Sequence, residues 1–162
     1  MRRAVVLGVG NLLMTDEGIG PHAIDALARR YDIGADVQLI DGGCSAMELL
    51  DDMANADLLV IVDAVASGKA PGTIVSLEGD AVPRFFTTKL SPHQVGLSDV
   101  LATLAIMEQA PMETIIIGVE PAKLALGMEL SPVVATSLPH VLALVVDELV
   151  ARGFGARLRA AA

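Results

Sequence analysis

The stretch Gly8-Val9-Gly10-Asn11-Leu12-Leu13-Met14-Thr15-Asp16-Glu17-Gly18-Ile19-Gly20 joins two segments of different periodicity. Before its break at Gly10, Ala4–Val9 is a short continuous apolar run, the pattern of a strand buried on both faces of a parallel sheet. After it, Pro21 suits a first helical turn, where its missing N–H costs nothing, and Ile24, Leu27 and Ala28 recur at helical spacing. A helix is therefore expected over 21–31. Strand, glycine-rich loop and helix in that order place the loop at the carboxyl end of a strand, where open α/β sheets bind their ligands.

The same alternation continues. Strands are expected at 36–40, 57–62, 73–77 and 114–119. Helices are expected after Ser45, which has Glu48 three residues on as a capping box, from 96 or 98 to 108, and from the Ser131-Pro132 start to 152. Pro139 falls inside the last helix and is expected to kink or split it, and Gly153 to end it. Segment 79–92, with Pro83 and Pro92, reads as irregular, 121–130 as loop, and 155–162 as a fraying tail. The order β-α-β-α-β-β-α-β-α implies one α/β domain over 1–162, a three-layer α/β/α sandwich around a mostly parallel five-stranded sheet.

Composition agrees and excludes some functions. The chain is 53% hydrophobic but only 2% aromatic, without Trp, so its core is aliphatic. A formal net charge of -9 repels phosphate backbones and anionic membranes, so neither nucleic acid nor a membrane is an expected partner. The single cysteine, Cys44, rules out an internal disulfide framework. The opening apolar run is too short for a signal peptide, and no uninterrupted apolar stretch of membrane-spanning length is evident, so the default location is cytoplasmic.

Three segments fall at carboxyl ends of strands: 8–20, Asp41-Gly42-Gly43, and Asp63-Ala64 after the apolar Leu58–Val62 run. The first lacks the third glycine of a dinucleotide loop, with Leu13 in its place, and its acids would face a pyrophosphate with like charge. Asp16 and Glu17 near a helix N-terminus have an ordinary structural explanation in the helix dipole. That explanation weakens because Asp63 ends a strand on the same edge. Carboxylates gathered there invite a cation or a proton. His93, in the loop Ser91-Pro92-His93-Gln94, would complete a mixed N/O set suited to divalent ions such as nickel or zinc. His22 and His140 rank lower. Cys44, near an expected helix N-terminus, is a lesser candidate as a nucleophile, and Arg84 and Lys89 as binders of an anionic terminus.

The 8–20 stretch also resembles the opening signature of the hydrogenase maturation endopeptidases. The resemblance continues through Asp41-Gly42-Gly43 with Met47-Glu48-Leu49-Leu50, through Asp63-Ala64, and through Ser91-Pro92-His93-Gln94. It implies a twisted, mostly parallel five-stranded sheet between helices. It implies an endopeptidase that removes the C-terminal extension of the large-subunit precursor of nickel–iron hydrogenase after nickel insertion. The precursor is then the partner, and nickel reaches the site with it. Zinc or cadmium is an expected substitute in vitro. By the same resemblance, Glu17, Asp63 and His93 are the metal and catalytic residues, with Asp16 or Asp41 as helpers. The metal serves either as an address label or as a Lewis acid. A non-enzymatic metal-binding maturation chaperone with the same ligands is the alternative.

Overall fold

The computed structural model describes residues 1–87 and 91–161; Lys89 lies outside the described residues. The central sheet holds β1 (Ala4–Val9), β3 (Val37–Gly43), β4 (Leu58–Ala64), β5 (Ile74–Glu78) and β6 (Glu113–Val119). Their order is β3-β1-β4-β6-β5, and only β5 runs antiparallel to its neighbour. Every residue of β1 and β4 is buried. That follows from unbroken apolar runs flanked by strands on both sides and covered by helices above and below.

Strand alternation sorts the core into two layers. Val6, Val60 and Ile117 face α1 (Ile19–Arg30) and α5 (Pro132–Ala151), packing on Ile24, Leu27, Val141 and Val145. Leu7, Ile61 and Ile116 face the other way, toward Met53 of α2 (Leu50–Met53), Val82 of α3 (Ala81–Phe85), and Leu97 and Leu104 of α4 (Pro92–Ile106). The three-layer α/β/α arrangement and the five-stranded, mostly parallel sheet are those read from the sequence.

Several details differ. The segment expected to fray instead forms β7 (Ala156–Leu158), which pairs antiparallel with β2 (Tyr31–Ile33) through Tyr31–Leu158. Both strands are three residues long, too short for a periodicity signal. The helix after Ser45 is only a 3-10 turn (Ala46–Leu49) and one turn of α-helix, and Ser45 makes no side-chain cap. The working capping box is at Ser91, so α4 begins at Pro92, several residues earlier than expected. The irregular segment contains α3. Helix α5 runs through Pro139 without a break. By length and composition it could cross a membrane, but Asp147 and Glu148 interrupt its apolar run, and Val134, Val141, Val145 and Leu149 on it are buried against the sheet.

One close approach aims the first loop. A Cβ on Gly20 would collide with the carbonyl oxygens of Val9 and Val62, and a Cβ on Gly8 would collide with that of Gly20. Two glycines thus let the start of α1 rest directly on β1 and β4. Because the atoms in the way are backbone, they cannot swing aside. Gly20→Ala is expected to lower unfolding free energy by about 3 kcal/mol, at the upper end of overpacking effects. A denaturant midpoint shifted by less than a third of that would show that α1 slides off the sheet freely.

Candidate functional site

Asp63 is the sixth residue of β4, and its parity puts it on the same face as Leu59 and Ile61, under α4. It is 1% exposed. The first turn of α4 meets it there. Ser91 caps the helix, Pro92 occupies the first turn, and the Gln94 side chain accepts the Ser91 N–H at 3.1 Å. The Gln94 amide nitrogen then donates to Asp63 Oδ2 at 2.9 Å and to the Ala64 carbonyl at 3.1 Å. One side chain therefore closes the cap and ties the helix to the strand.

This capping aims His93 between two carboxylates. Its Nε2 lies 3.0 Å from Asp63 Oδ1, and its Nδ1 lies 2.9 Å from Glu17 Oε1. Ser91 Oγ is also 3.0 Å from Nδ1. Glu17 reaches the site because its 3-10 turn (Thr15–Gly18) is laid over Gly10, which has a φ of 130°. A Cβ at Gly10 would collide with the Glu17 carbonyl and lie 3.7 Å from Asp63 Oδ1. Glycine there is what allows the turn down beside Asp63.

A ring between two ionised carboxylates satisfies both by donating from both nitrogens, which favours the imidazolium form of His93. Burial alone works against that cation, but Asp63 and then Glu17 outweigh it and raise the His93 pKa above the usual 6.5. Asp63 depends on the same proton. Desolvation pushes its carboxyl upward, and the His93 and Gln94 hydrogen bonds oppose that push. Glu17 forms the open end of the chain, with its side chain 20% exposed, whereas His93 and Asp63 lie deeper.

The structure thus brings Glu17, His93 and Asp63 into one contiguous chain. Their donors are the oxygen and nitrogen types that divalent ions of intermediate softness accept. The two carboxylates lie on opposite sides of the ring, however, and among the described residues no three such side chains converge as a preformed cage.

Asp16 and Asp41 are placed differently. Asp16 is completely buried, accepting from the backbone N–H groups of Ala122, Lys123 and Ser131 and from the Ser131 hydroxyl, at 2.7 to 2.9 Å. Burial raises its pKa, but these hydrogen bonds together hold it below 3.8. A carboxylate so engaged is a poor proton acceptor, so the helper role expected of Asp16 gives way to a structural one. Asp41 is exposed and accepts from the Gly43 N–H at 3.1 Å, shaping its own turn. The Cys44 thiol pKa is raised, first by partial burial and then by the charges of Glu17 and Asp63, the reverse of what a nucleophile needs. His140 is exposed, and His22 Nε2 donates to the Met128 carbonyl at 3.1 Å.

Sequence reasoning passed over Glu120, which follows β6 as Asp63 ends β4. Partial burial tends to raise its pKa, but the Ser67 hydroxyl and the N–H groups of Ser67, Gly68 and Lys69 hold it low. It fastens the loop after β4. An acid immediately after an apolar strand was the available signal. A cavity of about 960 Å³ lies at the other end of the sheet, between Val82, Phe86, Leu101 and the start of β6. It holds no cluster of metal-ligating groups, and the chemistry gathers instead at the carboxyl edge.

Residues 21–148 match the family model described as hydrogenase maturation protease. Hydrogenase 2 maturation protease of Escherichia coli K12 is 46% identical over 141 residues, covering 86% of each chain. Hydrogenase expression/formation protein HupD of Thiocapsa roseopersicina is 40% identical over 157 residues, 96% of this chain and 71% of the relative. Among solved structures, the hydrogenase maturating endopeptidase HybD from E. coli superposes with a TM-score of 0.93 at 44% identity, over 97% of this chain and 98% of that one. The nickel–iron hydrogenase maturation protease HybD from Thermococcus kodakarensis superposes with a TM-score of 0.76 at 26% identity, over 90% and 98%.

Proposed function

Since the chain belongs to the hydrogenase maturation protease family, we propose that it cuts the C-terminal extension from the large-subunit precursor of a nickel–iron hydrogenase and does so only after reading the inserted nickel. The observation that carries this reading is the Glu17–His93–Asp63 chain at the carboxyl edge of the sheet, joined by contacts of 2.9 and 3.0 Å. Nickel enters as cargo of the substrate. Glu17, the exposed end, meets it first. His93 contributes a nitrogen once it gives up a proton, because a metal takes the lone pair that the proton holds. Asp63 and Gln94 hold the ring in place meanwhile.

A precursor without nickel has no such anchor, so cutting is coupled to metal insertion. When bound, the ion supplies positive charge near the peptide bond to be hydrolysed. Asp16 and Asp41 are left out of the proton transfers, because each already serves the backbone beside it.

Mass spectrometry of the precursor, before and after incubation with this chain, tests the reading. The expected result is loss of a C-terminal peptide from nickel-loaded precursor and no loss from nickel-free precursor. An unchanged mass in the loaded sample replaces the peptidase with a non-enzymatic maturation chaperone.

A further inference from the structure

The loops leaving β1 and β6 run side by side and are stitched together. Thr15 N–H donates to the Gly127 carbonyl at 2.8 Å, and Gly127 N–H donates to the Leu13 carbonyl at 2.8 Å. The Thr15 hydroxyl donates to the Lys123 carbonyl at 2.6 Å and accepts from the Ala125 N–H at 3.2 Å. Thr15 sits at a φ of 49°, a costly backbone conformation for a β-branched residue that these bonds maintain. Buried Asp16 pins the far end of the second loop at Ser131.

Beside the charged Lys123 and Glu129, this pair of loops shows four large aliphatic side chains to solvent. Leu13 is 53% exposed, Leu124 56%, Leu126 85% and Met128 57%. Loop side chains of this size contribute little to the core when they point outward. A patch of them on a fixed backbone is the form of a binding surface. Its position names the occupant. Glu17 belongs to the same loop as Leu13, four residues on, so a polypeptide that brings its nickel to Glu17 has to lie beside this rim.

We infer that Leu13, Leu124, Leu126 and Met128 form the docking surface for an aliphatic segment of the large-subunit precursor next to the bond that is cut. The inference rests on the substrate proposed above. A lipid surface is a poorer occupant, since the chain carries a net charge of -9. The Leu and Met side chains favour apolar contact, and the N–H groups of Leu13, Ala125 and Gly127 between them are already bonded to neighbouring loop atoms.

The test is the double variant Leu124→Ser/Leu126→Ser, with Leu126→Asp alone as a second variant and Ile106→Ser as a control. Ile106 is 84% exposed at the end of α4, away from the α4 turn that carries His93. Binding of nickel-loaded precursor is measured by interferometry, and cleavage by mass spectrometry. The double variant is expected to raise Kd and KM about tenfold or more, with the loss falling on KM rather than kcat, while the control stays at wild-type Kd. Wild-type binding without cutting would overturn the peptidase reading and leave the docking surface in place. Cutting by folded double variant and Leu126→Asp with Kd and KM within twofold of wild type would overturn the docking surface.

Discussion

His93→Ala is expected to lower kcat/KM on nickel-loaded precursor by about a thousandfold or more, within the range for removing a group that acts directly in metal or proton chemistry. Three effects add in one direction. The substitution deletes the nitrogen donor between Glu17 and Asp63. It removes the cation that keeps the buried Asp63 carboxylate ionised, so Asp63 picks up a proton and becomes a poor metal ligand. It also frees Glu17 from the His93 ring that holds its side chain, so that its position is no longer set. The fold tolerates the change better than the reaction does. Asp63 keeps the Gln94 amide, and the loss of stability is expected to be about 2 kcal/mol. Cleavage assays run beside thermal unfolding separate the two effects. His93→Ala that is folded and cuts loaded precursor at the wild-type rate would remove the three-residue chain from the account.

The architecture was legible because parallel strands buried on both faces write themselves as unbroken apolar runs. Leu58–Val62 and Ala4–Val9 could be little else, and the helices between them carry a separate period. The losses came where length or tertiary context decides. Three-residue β2 and β7 have no period to read, and each exists because the other lies beside it. Ser45 and Ser91 carry similar local cap signals, Glu48 and Gln94 three residues on, and only the packing of α4 against β4 selects the second.

The site was legible as a list and less so as a geometry. Topology fixes that Glu17 and Asp63 share an edge, and the motif resemblance supplied His93. What sequence could not say is that His93 stands on a helix, not in a loop, or that Gln94 beside it is the residue holding strand and helix together. Position in the chain gave no reason to separate Asp16 from Glu17; the resemblance did so, with Glu17 as ligand and Asp16 as a helper. In a 3-10 turn, adjacent residues point in different directions, so one acid reaches the site and the other enters the loop packing.

That division makes Asp16 the position where a single change should cost the most stability without touching the Glu17–His93–Asp63 chain. Asp16→Ala strips the acceptor from three backbone N–H groups and one hydroxyl in a place water does not reach. Leaving such donors unpaired costs about 1 to 3 kcal/mol each when nothing relaxes, and relaxation of the 121–131 loop limits the total to about 4 kcal/mol. The pH dependence has a fixed sign. The pKa of Asp16 is lower in the folded chain than its ordinary 3.8, so its contribution is complete above 3.8 and disappears as pH falls through the folded value. Wild type and Asp16→Asn should therefore differ in stability at pH 7 and converge below pH 3.8. Asp16→Asn, which keeps the shape and one carbonyl acceptor, should retain part of what Asp16→Ala loses. Denaturant titrations of the three proteins at two pH values check this order. Equal midpoints for wild type and Asp16→Ala at pH 7 would mean that the second loop is held by its Thr15 and Gly127 bonds alone, and that the buried carboxylate has another task.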